Sequence, residues 1–200
     1  MFGGLEEVAF VELGEVEGSG RFRGPQAQGI DVFGLPAGDR RVVADGDDLL
    51  GRLESARPLD RLRAELLDDL WKVLEGVSHF NCVAWKAAQD RTVTLLELEL
   101  QGEIDKFVGT VLLALGQDDA ELSRRVHGWL FDDVRYHDEL NGEQLDRYRS
   151  ANDYAARYCH RLRRQLLRNP ERTLEELRQF YRLQLSDKIS HIHSRAWAQA

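Results

Sequence analysis

Long apolar runs are missing from this chain of 200 residues. The best of them, Val111–Leu115, falls far short of the roughly 18 residues that a membrane span needs. The opening residues, MFGGLEEVAF, carry neither a basic stretch nor a continuous apolar core, so no secretory signal is expected. Phe2 stands where N-myristoylation requires glycine. Cysteine is scarce. Cys82 and Cys159 fall in separate helical patterns without metal-ligand spacing, which excludes a disulfide framework and a cysteine-zinc cluster. Neither has an evident histidine partner, so no thiol nucleophile is expected; both read as buried thiols in a reducing cytoplasm. A phosphate loop is also missing: Gly18-Ser19-Gly20 has no following lysine and no strand–turn–helix setting, and reads as loop.

What is present suits one soluble domain with a small appendage. Apolar residues make up 42% and charged residues 31%, the balance of a globular rather than a disordered chain. The formal net charge of −8 is unevenly spread. Residues 141–200 hold 12 Lys and Arg against 7 Asp and Glu, whereas residues 1–140 hold 15 against 28. An acidic body with a basic last third favours packing of the chain on itself or on a copy, and argues against nucleic acid as a partner.

Residues 1–45 read as a separate β and loop appendage. Five glycines lie between Gly14 and Gly29, and Leu35-Pro36-Ala37-Gly38 is a turn signal between Asp31–Phe33 and Arg40–Ala44, which predicts a small β-hairpin. From residue 46 to 200 the apolar residues recur every three or four positions, which predicts a helical domain. The expected fold is mainly α: an antiparallel bundle of five to six helices, with the hairpin at its N-terminus.

The predicted helices run in order. A short one covers 47–56, and Pro58 opens the next, 58–88, whose stripe Leu59, Leu62, Leu66, Leu70, Val73, Val77, Phe80, Ala84 is expected inside, with a second stripe (Leu67, Trp71, Leu74, Ser78, Trp85) beside it. Arg91–Gly116 is the stretch around which the rest is expected to pack, although TVTLLELEL at 92–100 also alternates like a strand. Asp118–Leu140 is next, then Glu143–Arg168, stopped by Asn169-Pro170. Thr173-Leu174-Glu175-Glu176 has the spacing of a capping box and is expected to start the last helix.

Four groups of residues can carry chemistry. On the helix 91–116, Glu103 lies among Leu100, Ile104 and Phe107, and Glu99 is one turn earlier, so both carboxylates face the expected core and must be paired, protonated or bound. Lys106, three residues on, supplies an ion pair. Three histidines have an acid four residues before them: Glu75/His79, Asp133/His137 and Asp187/His191. Such pairs share a helix face, and with Glu99 and Glu103 they can ligate a divalent metal such as Fe, Mn or Zn inside a bundle, although Glu75 and His79 are expected on the polar side with Asp68 and Lys72. His137-Asp138 resembles the HD dipeptide of metal-dependent phosphohydrolases. The resemblance covers these two residues and implies a metal held by His137 and Asp138, with His79 or His127 upstream and Asp187 as the distal ligand. Lastly, Arg157, Arg161, Arg164 and Arg168 form one stripe, expected to be exposed or to meet a partner.

The functional expectation is a cytoplasmic helical protein, without catalysis or cofactor, that binds another protein or a second copy of itself, with helices 58–88 or 143–168 as homodimer faces. A metal-dependent enzyme with its site between the helices is the alternative, and polyanion binding by the arginine stripe is third.

Overall fold

The computed structural model describes residues 41–136 and 140–196. The chain divides into two units, Met1–Ile30 and Asp31–Ala200, and everything described lies in the second. It consists of α1 (Arg41–Ala56), a single 3-10 turn (Ala64–Leu66), α2 (Leu67–Ala88), α3 (Leu95–Gly116), α4 (Ala120–Phe131), α5 (Gly142–Arg168), α6 (Pro170–Tyr181) and α7 (Leu185–Ala196). No strand occurs among the described residues. The expected hairpin falls largely outside them, and Arg41–Ala44 form the first turn of α1.

Helix α3 is the axis. Twelve of its 22 residues are buried, and α2, α4 and α5 pack around it. The helix starts because Thr94 caps it, its Oγ1 accepting from Glu97 N at 3.1 Å. Residues 95–100 are therefore helical, not the alternative strand. Leu100, Ile104, Phe107, Val111 and Ala114 are fully buried in one apolar row, each of the larger ones contributing about 1.5–3 kcal/mol of burial. Antiparallel to it, α2 keeps register through polar contacts: Trp71 Nε1 donates to Thr110 Oγ1 at 2.9 Å, Ser78 Oγ to Asp105 Oδ2 at 2.5 Å, and Lys86 pairs with Glu97 at 2.7 Å. Helices α4 and α5 are held together by His127 on the carbonyl of Ala156 at 3.1 Å and Asn152 on that of Phe131 at 3.3 Å.

Several expected boundaries move. The region 58–88 is not one helix: residues after Pro58 form a loop that is tied down by Gln117, whose side chain accepts from Leu62 N at 2.5 Å and donates to the carbonyls of Pro58 and Leu59 at 2.8 and 2.9 Å. Helix α4 ends at Phe131, short of Leu140. The last expected helix is two, broken at residues 182–184, and its start is capped by Asn169, which accepts from Arg172 N at 3.0 Å, while Thr173 lies inside α6. This raises the count to seven α-helices among the described residues.

The largest correction concerns α2. Val77 and Phe80, expected in the core, are 52% and 58% exposed. The inward face carries Leu67, Leu70, Ser78, His79, Cys82 and Lys86 instead. Helix α2 lies at the edge of the bundle, and α3 is its main neighbour, so the first of the two expected apolar stripes is covered only in part: Leu62 and Leu70 are buried, Val77 and Phe80 are not.

Candidate metal centre

The crossing of α2 and α3 brings charged side chains together below the surface. Glu75 and His79 are one turn apart on α2, and Glu99 and Glu103 one turn apart on α3. One ligand atom from each of Glu75, His79 and Glu99 lies within 4.8 Å of the others. First-row ions bind such nitrogens and oxygens at about 2.0–2.2 Å, so small rotations of the two carboxylates close the gap. His79 is buried and its Nε2, 3.9 Å from Glu99 Oε2, has no hydrogen-bond partner. The expectation that His79 faces solvent is thus corrected. The ring fits because α3 carries Gly102 opposite: a Cβ there would come 3.2 Å from His79 Nε2.

Basic groups frame the cluster. Lys106 Nζ bridges Glu75 at 3.0 Å and Glu103 at 2.7 Å, and Arg147 of α5 lies 3.8 Å from Glu99. The predicted ion pair of Glu103 with Lys106 is present. Burial pushes the Glu99 carboxyl up to about 7, with the charge of Glu75 acting in the same direction and Arg147 and Lys106 against it. Glu103 is raised by burial too, against the pull of Lys106. Burial also lowers His79, so its imidazole is held neutral, the form that ligates metals. Burial opposes the charge on Lys106, but Glu103 and Glu75 outweigh it and hold its pKa above the ordinary lysine value.

Of the predicted metal ligands, Glu99 is in the cluster, Glu103 is adjacent but turned to Lys106, and His137 and Asp138 lie outside the described residues. Asp187 is exposed, and His191 belongs to another group, 3.6 Å from Glu176. The arginine stripe is split: Arg157 pairs with Asp153 at the surface, Arg161 is mostly buried against Glu176, and Arg164 and Arg168 are exposed.

Sequence reasoning missed a second charged cluster. Glu97 is 2% exposed and meets two buried lysines, Lys86 at 2.7 Å and Lys188 of α7 at 3.3 Å; Lys188 also donates to Gln101 at 2.9 Å. Burial lowers the Lys188 pKa, opposed by Glu97. Lys188 lies 5.6 Å from the centre of the Phe180 ring and 5.7 Å from that of Tyr181. A charged residue on an otherwise apolar stripe was the available signal for Lys188, which follows Leu185 and precedes Ile189 and Ile192 on α7. No family model, no curated protein and no solved structure matches the chain.

Proposed function

We propose that the α2–α3 crossing binds one divalent transition-metal ion through Glu75, His79 and Glu99, and that the protein is a metal-dependent enzyme. The observation that carries this reading is the buried His79, whose Nε2 has no hydrogen-bond partner and lies 3.9 Å from Glu99, in a group of three residues whose ligand atoms lie within 4.8 Å of one another. Three protein ligands of this type leave coordination positions open, the composition of catalytic rather than closed structural sites. The Glu75 side chain is 37% exposed, so the open side faces solvent. A bound ion lowers the pKa of a water ligand and polarises a substrate oxygen. Arg147, 3.8 Å from Glu99, supplies a guanidinium beside that position to orient an anionic substrate group. In the metal-free protein Lys106 pairs with both Glu75 and Glu103, so the ion must compete with it for Glu75.

Cobalt(II) is the probe. Tag-free protein treated with chelator is titrated with cobalt(II), with the visible ligand-field bands and calorimetry as readouts. One equivalent is expected to bind, zinc is expected to displace it, and His79→Ala is expected to weaken binding at least tenfold while leaving the helical circular dichroism intact. Absence of a stoichiometric complex, or equal affinity in the variant, rejects the site.

A second reading, self-association, is favoured by the Val77 and Phe80 face of α2, which no other described element covers. Two copies meeting along that face would bury the apolar stripe that the bundle leaves in water. It needs no metal, and light scattering over a dilution series separates the two.

A further inference from the structure

The C-terminal half of α5 carries a second candidate site, remote in sequence from the metal cluster. Arg161, Arg164, Gln165 and Arg168 line a concavity of about 220 Å³, open on one side. No acidic side chain is among these lining residues. Arg161 is fixed from behind: its Nη2 donates to Glu176 Oε1 at 2.5 Å, and its guanidinium lies 5.1 Å from the centre of the Tyr158 ring. Only 11% of its side chain is exposed, yet Nη1 is buried without a hydrogen-bond partner. Gln165 Oε1 is buried and unpartnered too. Buried donors and acceptors of this kind normally find partners, and both of these belong to residues that line the concavity.

We infer that this concavity binds a phosphoryl group of a small molecule. Guanidinium forks match the oxygens of a phosphate with paired hydrogen bonds. Arg161, held by Glu176 and Tyr158, is the pre-oriented member; Arg164 and Arg168, exposed on the rim, close over the anion. Turning the Gln165 amide end for end presents its NH2 to the same oxygens, an orientation that heavy-atom positions leave open. The concave form and the chain's net charge of −8 favour a compact ligand over a long polyanion. This inference is independent of the metal reading.

The test uses chelator-treated full-length protein, so that metal binding plays no part. Inorganic phosphate and pyrophosphate are titrated while the amide and arginine side-chain NMR signals of α5 are followed. Saturable shifts in the millimolar range or tighter are expected, weakened at least tenfold in Arg164→Gln/Arg168→Gln, a pair of exposed positions, with an unchanged helical circular dichroism as the control on the fold. Shifts that never saturate, or affinity unchanged in the double variant, overturn the proposal. So does a single-stranded oligonucleotide that outcompetes pyrophosphate and is released by moderate salt, because that describes a polyanion surface.

Discussion

Lys188 Nζ lies 3.3 Å from Glu97 Oε1 in the interior of the bundle, where their side chains are 0% and 2% exposed. Lys86 reaches the same oxygen at 2.7 Å. One carboxylate thus faces two ammonium groups, and the three members are not equivalent. Glu97→Gln leaves two buried cations facing each other and is expected to cost about 3–5 kcal/mol in urea unfolding. Lys188→Met leaves the Glu97–Lys86 pair intact and keeps the volume, so a loss under about 2 kcal/mol is expected. Equal losses in the two variants would contradict this hierarchy.

Glu99 gives the metal-free protein a pH-dependent stability. Its folded pKa of about 7 is above the ordinary 4.5, so between those values the folded state holds a proton that the unfolded state releases. Stability is therefore expected to fall as pH rises through that window and to level off above it. At 1.36 kcal/mol per unit the total is on the order of 3 kcal/mol. Urea titrations at several pH values in chelator measure it, and Glu99→Gln should flatten the curve.

Gly102 is a spatial requirement more than a flexible point. Alanine there favours the helix by up to about 1 kcal/mol, but its Cβ would come 3.2 Å from His79 Nε2. The ring sits in a buried site and has to shift. Gly102→Ala is expected to unfold within about 1 kcal/mol of the parent, yet to bind cobalt(II) at least tenfold more weakly. Unaltered cobalt affinity would show that the ring position is irrelevant to the ion.

Phe80 is 58% exposed and has no structural duty inside the bundle. Phe80→Glu is expected to change urea stability by less than about 0.5 kcal/mol, the usual range for surface positions. If α2 joins two copies, the same change lowers the mass measured by light scattering to that of a single chain. A parent protein already of single-chain mass at high concentration removes self-association.

How far this could be read from the sequence depended on what each residue's partner was. Helix α3 was legible because Leu100, Ile104, Phe107, Val111 and Ala114 repeat at helical spacing. The Glu103–Lys106 pair was legible because its members are three residues apart on that helix. Lys188 and Gln101, by contrast, are separated by 87 residues, and the apolar stripe that makes Lys188 conspicuous says nothing of its partner. His79 was misread because its own helix puts it beside Glu75 and near Lys72, and only the glycine on the facing helix makes that side habitable. Val77 and Phe80 failed for the opposite reason: apolar spacing specifies a face, but not whether another helix arrives to cover it.

The triple meeting at Glu97 also imposes an order of events on the growing polypeptide. Lys86 and Glu97 emerge close together and are joined as soon as the α2–α3 hairpin forms. Lys188 emerges only after α3 to α6 have been made, and can leave water only where a counterion already waits. Docking of α7 is thus a charge-gated step, and a nascent chain cut short before it leaves Glu97 with Lys86 as its one ammonium partner among the described residues.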